Sequence, residues 1–254
     1  MLGLVIRNIS EDINESTSII KKHIWDNFHI KLKYLQYHHD EASDLTKSNA
    51  LFIHMPYTIK LEITPKYLYT LHNYLGKHKN IIIHLRDETP DQIADFLNAY
   101  QDKFNDKSLK QYNIFWEHSV GRKNKYYKFK QIQNLMLTLH SKTDINNNLC
   151  LDTCHIHNMG YDLSTSYKVI DYFKPIFKLA KILKFKLLIH LNDSLDPIGS
   201  YKDRHAHIGK TIWKDSDGYR TLIQMCEYNN TPYILEIPNK DYMKGIDLNL
   251  SKII

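Results

Sequence analysis

Eight short segments rich in β-branched, aromatic and other apolar residues constrain the fold of this chain more than any other feature. Runs of about four to eight such residues, separated by longer stretches, are typical of strands buried in a parallel sheet. The predicted strands are Leu2–Ile6, Lys31–Leu35, Leu51–His54, Ile81–Leu85, Ile114–Glu117, Leu149–Asp152, Leu187–Leu191 and Tyr233–Ile237.

Most of the stretches between these strands have the apolar spacing of helices. Helical periodicity extends over Pro65–Leu75, Asp91–Phe104 and Ser166–Leu183, whereas the connection after Lys31–Leu35 is too short and polar for a full helix. Parallel strands need crossover connections, and eight of them can close into a barrel, so we predict an α/β fold, a (β/α)8 TIM barrel. The alternative is an open doubly wound sheet, but neither GxGxxG nor GxxxxGKS/T follows a predicted strand.

The composition limits the number of domains and the cellular compartment that we expect for the protein. The 254 residues are 43% hydrophobic, and no stretch rich in Pro, Gly or Ser divides them, so we predict a single domain over residues 1–254. Three cysteines without CxxC spacing, Cys150, Cys154 and Cys226, argue against a disulfide framework. We find neither a signal peptide nor a run of ~20 apolar residues. We therefore expect an intracellular protein in a reducing compartment, neither secreted nor bound to a membrane: the cytoplasm or nucleus, or the host cytoplasm or virion for a viral protein.

Ligand-type side chains fall at the ends of six consecutive predicted strands, namely His54, His84, Glu117, Asp152, His190 and Glu236. The chain holds 15 His and 28 Asp plus Glu, so only about one position in six carries such a residue by chance. In a TIM barrel these strand ends converge on the C-terminal face, where active sites of this fold lie. Imidazole and carboxylate without a cysteine cage are typical of a catalytic zinc or manganese site, which we predict at this face.

Several segments around these residues resemble the signature segments of the endonuclease IV family of apurinic/apyrimidinic (AP) endonucleases, which belongs to the xylose-isomerase-like TIM-barrel superfamily. They are FIHMPY (52–57), IIIHL (81–85), FWEHS (115–119), CLDTCHIHNMGYDL (150–163), HLNDS (190–194), GSYKDRHAHIG (199–209) and YILEI (233–237). The resemblance covers most of the chain from about residue 50 onward. It implies a barrel that holds three divalent cations, zinc or alternatively manganese, at its C-terminal face.

The resemblance also implies how nine side chains divide among the cations. The first cation would be held by His54, His84 and Glu117; the second by Glu117, Asp152, His190 and Glu236; the third by His155, Asp203 and His205. The implied catalytic residues are Glu117, as a bridging carboxylate, and Glu236, which would help to orient the attacking hydroxide.

The activity implied is hydrolysis of the phosphodiester bond 5′ to an abasic site, which leaves a 3′-hydroxyl in DNA base-excision repair. Cleaning of 3′ ends is left open as an additional activity. Cations in such a site activate water and neutralise the charge on the phosphate and the leaving oxygen. The expected partner is double-stranded DNA with abasic sites, without a nucleotide cofactor, and the expected state is a monomer. A net charge of +6 favours a polyanionic partner, although solvated lysine faces give the same balance.

Four residues are candidate DNA contacts. Tyr57 stands where the family places a tyrosine at the lesion, although it could equally be a rim aromatic. Arg204 lies between two implied ligands and is expected to pair with phosphate or with a neighbouring carboxylate. Arg122 and Lys123 begin a basic loop interleaved with tyrosines, which suits either phosphate contact or a solvated turn.

Other polar residues near the implied ligands are given different roles. Asn192 and Asp193 are expected to shape a loop or to hydrogen-bond the ligands. The residues interpreted as non-ligands are His118, Cys154, His157 and His207.

The resemblance weakens over the first 50 residues, which predicts a compact and divergent member of the family, either viral or from another divergent source. The chain lacks the family's Gly-rich, His-containing loop after the first strand, and the stretch after the second strand is acidic. The competing function is a sugar isomerase or epimerase, which uses one or two metals on a barrel of the same superfamily. The trio of His155, Asp203 and His205 discriminates between them, because a sugar isomerase has no use for it.

Overall fold

A computed structural model of the protein describes residues 2–5, 13–28, 32–38, 51–56, 59–105, 109–123, 125–238 and 241–253. Eight parallel strands form a closed barrel in the order β1-β10-β7-β6-β5-β4-β3-β2. The barrel strands are β1 (Leu2–Val5), β2 (Tyr34–His38), β3 (Leu51–His54), β4 (Asn80–Leu85), β5 (Asn113–His118), β6 (Asn146–Asp152), β7 (Leu187–His190) and β10 (Tyr233–Leu235). Closure by the parallel pair of β1 and β10 confirms the predicted TIM barrel.

Helices cover the outside of the barrel, and a short antiparallel hairpin of β8 (Asp193–Ser194) and β9 (His205–Ala206) follows β7. The helices are α1 (Ile13–Phe28), α2 (Pro65–Lys77), α3 (Pro90–Phe104), α4 (Phe129–Lys142), α5 (Thr153–Asn158), α6 (Ser166–Leu183), α7 (Gly218–Tyr228) and α8 (Tyr242–Ile253). The three predicted helices are therefore confirmed. Within the described residues, no helix is long and apolar enough to cross a membrane.

The second strand is the largest difference from the sequence prediction. It was predicted at Lys31–Leu35, but β2 runs from Tyr34 to His38. Its register is fixed by its two neighbours, since Gly3 of β1 pairs with Tyr34 and Leu51 of β3 pairs with Leu35. Such pairing joins distant parts of the chain, and a local apolar run cannot report it. The connection after β2 lies outside the described residues.

Candidate metal centre

Two layers of inward-pointing side chains fill the barrel, because residues two apart on a strand point to the same side. One layer is apolar and consists of Val5, Phe52, Ile82, Phe115, Cys150, Leu188 and Ile234. Two residues further along the strands, the second layer is polar and consists of Gln36, His54, His84, Glu117, Asp152, His190 and Glu236. The barrel therefore brings together six predicted ligands and one glutamine, all of them buried, at its C-terminal end.

Glu117 contacts histidines from three different strands. Its Oε2 accepts a hydrogen bond from Nε2 of His54 at 2.9 Å and lies 3.2 Å from Nε2 of His84. Its Oε1 accepts a hydrogen bond from Nδ1 of His190 at 3.0 Å. Burial acts to raise the pKa of Glu117, but His84 and His190 outweigh it and hold the pKa well below its usual value. Glu117 is therefore an ionised carboxylate whose two oxygens face different ligand-type side chains.

Backbone carbonyls anchor two of the histidines through one ring nitrogen. Nδ1 of His54 donates to the carbonyl oxygen of Met55 at 3.0 Å, and Nδ1 of His155 donates to that of His118 at 2.8 Å. Nε2 of each ring is left facing a carboxylate; for His155 this is Oδ1 of Asp203, at 3.2 Å. Such anchoring fixes the tautomer and orientation of an imidazole, as is usual for histidines that bind metals.

Asp152 ends β6 and caps the short helix α5. Its Oδ1 accepts hydrogen bonds from the backbone N–H groups of Cys154 and His155. Its Oδ2 faces the site, at 3.4 Å from Nε2 of His205. Burial raises the pKa of Asp152. Because the capped helix begins at the strand end, His155 lies on its first turn beside the polar layer.

His155, Asp203 and His205 form a second cluster at the rim of the polar layer. Oδ1 of Asp203 lies 3.2 Å from Nε2 of each histidine. Burial acts to lower the pKa of both imidazoles, but Asp152 and Asp203 outweigh it and raise the pKa of His155 to about 10 and that of His205 to about 9. Asp203 is only partly buried, which acts to raise its pKa, but the two histidines hold the pKa below its usual value.

Asp193 organises the loop that follows His205. Its buried carboxylate accepts hydrogen bonds from the backbone N–H of Ser194 and from those of five consecutive residues, Gly209–Trp213, at 2.7–3.4 Å. The expected loop-shaping role of Asp193 agrees with these contacts. Asn192 likewise donates to Oδ2 of Asp152 and to Oε2 of Glu236, so it orients two ligand-type carboxylates.

Among the described residues, four groups of side chains have ligand atoms close enough to share a cation, since the ligand atoms within each group lie within 4.8 Å of one another. The groups are His54, Glu117 and His190; Asp152, His190 and Glu236; Asp152, His155 and His205; and Cys154, Asp203 and His205. They contain eight of the nine implied ligands, and the ninth, His84, contacts Glu117 as described above. Asp152, His190 and His205 each occur in two groups, which makes the cluster continuous.

Cys154 lies in one of these groups, although the sequence interpretation makes it a non-ligand. Burial raises the pKa of its thiol, and Sγ donates to the backbone carbonyl of Arg204 at 3.7 Å. Sγ is thus engaged with a backbone carbonyl, and the interpretation of Cys154 as a non-ligand stays a prediction. Among the described residues, no candidate group contains His118, His157 or His207.

The expected DNA contacts lie in different surroundings. Nε and Nη2 of Arg204 both donate to the carboxylate of Asp196, so Arg204 has the carboxylate partner that was one of its two expected roles. Arg122 and Lys123 are exposed in the turn after β5. Tyr57 lies outside the described residues.

Sequence reasoning missed Gln36 as a member of the polar layer. The prediction ended the second strand at Leu35, which placed Gln36 in a loop. The available signal was the spacing of Tyr34 and Gln36, which matches that of Phe52 and His54 on the next strand. Phe52 belongs to the apolar layer and Tyr34 packs against it, and in each case a polar residue follows two positions later.

Sequence comparison gives a family model and curated relatives. Residues 113–251 match the family model of the xylose isomerase-like TIM barrel. A protein of Aquifex aeolicus described as "Probable endonuclease 4" is 25% identical over 221 residues, which cover 81% of this chain and 77% of that protein. Other proteins of the same description align over shorter segments, in two cases over 37% and 34% of their own length.

Solved structures give the same fold over the whole chain. The chain described as AsfvAP:AG superposes with a TM-score of 0.80 at 18% identity and covers 100% of this chain and 97% of its own. Endonuclease IV from Thermus thermophilus has a TM-score of 0.67 at 17% identity and covers 99% of this chain and 97% of its own. The predicted family resemblance is confirmed: the chain belongs to the xylose isomerase-like TIM-barrel family, in which its relatives include endonuclease IV.

Proposed function

We propose that the protein is an AP endonuclease of the endonuclease IV type, which hydrolyses the phosphodiester bond 5′ to an abasic site in double-stranded DNA and leaves a 3′-hydroxyl. The observation that carries the proposal is the convergence of the implied ligands, from the ends of six barrel strands and the segments after two of them, into one cluster whose members are buried except at the rim, where His205 and Asp203 lie. The curated relatives described as endonuclease 4 support the same reaction.

The residues fit three divalent cations, with zinc as the first choice and manganese as the alternative. Imidazole and carboxylate groups with anchored rings suit either metal. His54, His84 and Glu117 are assigned to the first cation. The second is assigned to Glu117, Asp152, His190 and Glu236, and the third to His155, Asp203 and His205. Glu117 is assigned as the carboxylate that the first two cations share, because its Oε2 faces His54 and His84 while its Oε1 faces His190.

When bound, the cations supply Lewis-acid chemistry, activating water and neutralising charge on the phosphate and the leaving oxygen. Glu117 and Glu236 are assigned the catalytic roles among the side chains. Burial acts to raise the pKa of Glu236, but His190 and His205 hold it at about 2, so this carboxylate is ionised at neutral pH and can accept a hydrogen bond from water. Asn192 keeps Glu236 in place by donating to its Oε2.

Phosphate contacts are assigned to the surface around the cluster. Arg122 and Lys123, exposed after β5, are proposed to contact the DNA backbone, and Tyr57 keeps its proposed role at the lesion. Arg204 is proposed to brace the loop that carries Asp203, because Asp196 holds its guanidinium. The protein is proposed to act as a monomer without a nucleotide cofactor.

We further propose one domain over residues 1–254, supported by barrel closure between β1 and β10 near opposite ends of the chain. An intracellular, reducing compartment is proposed because Cys150, Cys154 and Cys226 are unpaired and buried.

A sugar isomerase or epimerase is the competing function. Solved structures of sugar enzymes such as a D-tagatose 3-epimerase-like protein share the barrel, but at 10% identity this likeness shows the fold alone. His155, Asp203 and His205 favour phosphodiester hydrolysis, because they provide a third cation site beyond the one or two that the sugar chemistry uses.

The test is incision of a labelled duplex that contains one tetrahydrofuran abasic analogue, analysed on a denaturing gel. Tetrahydrofuran cannot undergo β-elimination, so a cut on its 5′ side is hydrolysis. We expect 5′ incision with a 3′-hydroxyl that a polymerase extends, and no cut in the undamaged duplex. No incision by protein that holds about three cations would refute the proposed substrate, and one or two cations would favour the sugar enzyme.

A further inference from the structure

Gln36 is the only member of the polar layer, among the described residues, that is neither histidine nor carboxylate. It is fully buried, and its backbone pairs with Phe52 two residues before His54. Its side chain spans two candidate ligands: Nε2 donates to Oε1 of Glu236 at 2.7 Å, and Oε1 lies 2.8 Å from Nε2 of His190.

The chemistry of the three groups fixes which atom donates in each contact. An ionised carboxylate only accepts hydrogen bonds, so the Gln36 atom beside Glu236 must be the NH₂ group. The Gln36 carbonyl oxygen therefore faces His190 and requires a proton on Nε2 of that ring. Nδ1 of His190 is then the nitrogen that can lose its proton to a cation, and it already points at Oε1 of Glu117 at 3.0 Å and Oε2 of Glu236 at 3.3 Å.

Gln36 therefore orients the ring of His190 as backbone carbonyls orient the rings of His54 and His155. The ring nitrogen differs: the Gln36 oxygen accepts from Nε2 of His190, whereas the carbonyls accept from Nδ1 of the other two histidines. It also occupies one oxygen of Glu236, while Asn192 donates to the other. We propose that Gln36 is a positioning residue of the second cation site: it fixes His190 as a ligand through Nδ1 and Glu236 as a ligand through Oε2. This inference rests on the proposed function, since it assumes that the cluster binds cations.

The test compares the wild type with Gln36→Met, which keeps the length of the side chain and removes both hydrogen bonds. The zinc dissociation constants of the purified full chain are measured by chelator competition, and bound zinc is counted by mass spectrometry. Loss of a partner that orients a metal ligand typically costs about 10- to 100-fold in metal affinity. We expect a weakening of this size at one site only, with the other two zinc ions retained.

The matched control is Asn80→Leu, which removes another buried amide from the opposite end of the barrel. Asn80 begins β4, donates to the backbone of Leu51 and accepts from Asn113. This variant is expected to lose stability and to keep all three zinc affinities. Equal zinc affinities in the wild type and Gln36→Met would overturn the role of Gln36 and leave the proposed function intact. Wild-type protein that binds neither zinc nor manganese would overturn both.

A measurement on the wild type does not depend on the folding of any variant. In ¹⁵N-histidine NMR spectra of the zinc-loaded protein, His190 is expected to carry its proton on Nε2 and to bind through Nδ1. A zinc-loaded His190 protonated on Nδ1 would overturn the inference. Gln36→Glu gives a second check: its carboxylate can accept from His190 but repels Glu236, so we expect the His190 tautomer to persist while zinc affinity falls.

Discussion

Substitution of Glu117 by glutamine removes the charge at the centre of the cluster with little change of shape. Three imidazoles lie within 2.9–3.2 Å of its oxygens, so cations held by these rings would lie within ~4 Å of the carboxylate. At an effective dielectric constant of about 20, two unit charges ~4 Å apart interact by on the order of 4 kcal/mol, and a divalent cation interacts with the carboxylate by about twice as much. Since 1.4 kcal/mol is tenfold, each of the first two cations should bind at least about 1,000-fold more weakly.

The assay is metal content after gel filtration, followed by incision of the tetrahydrofuran duplex. We expect Glu117→Gln to fall from three cations to one and to lose incision by about 1,000-fold or more, while the cation at His155, Asp203 and His205 stays. The control is Glu227→Gln, the same chemical change on the exposed side of α7, which should match the wild type. A Glu117→Gln protein with three cations and incision within tenfold of the wild type would refute the bridging role.

Four further predictions follow from particular contacts. Cation binding at the third site must displace the protons that His155 (pKa about 10) and His205 (pKa about 9) hold at neutral pH. The cation affinity of this site should therefore rise with pH from 7 to 9. Equal dissociation constants at pH 7 and pH 8.5 would contradict this. Asp193→Asn turns one acceptor oxygen into a donor that faces backbone N–H groups. It should lower the free energy of unfolding by at least about 3 kcal/mol in urea titrations. A change under about 1 kcal/mol would contradict the importance of the six observed contacts. Gly3→Ala places a Cβ 2.8 Å from Ile234 and should cost about 1–3 kcal/mol, measured the same way; an unchanged midpoint would show that the barrel wall relaxes freely. DNA affinity should fall steeply between 50 and 200 mM salt in fluorescence anisotropy, because phosphates are neutralised by cationic groups, and a flat salt dependence would argue against that interface.

The fold was predictable because its signal is local and repeated. Each strand carries its own apolar run, and the helices between strands show their own periodicity. The alternation of strands and helices that defines the barrel can therefore be recognised without knowing which strands pair. The convergence of the six strand-end candidate ligands was predictable for the same reason, since a parallel barrel places every strand end on one face. The assignment of His155, Asp203 and His205 to one shared cation came from the family resemblance, because two of these residues lie in a loop and a short hairpin.

Register and hydrogen-bond geometry were decided by the tertiary structure. The position of β2, and with it the place of Gln36 beside His190 and Glu236, depends on pairing with β1 and β3, which lie far from it in the sequence. The pairing of Arg204 with Asp196 depends likewise on the loop between β8 and β9. Residue type and spacing determine which chemistry the chain can provide at its strand ends. Which atoms face each other depends on contacts between distant segments, which only the closed barrel brings within hydrogen-bonding distance.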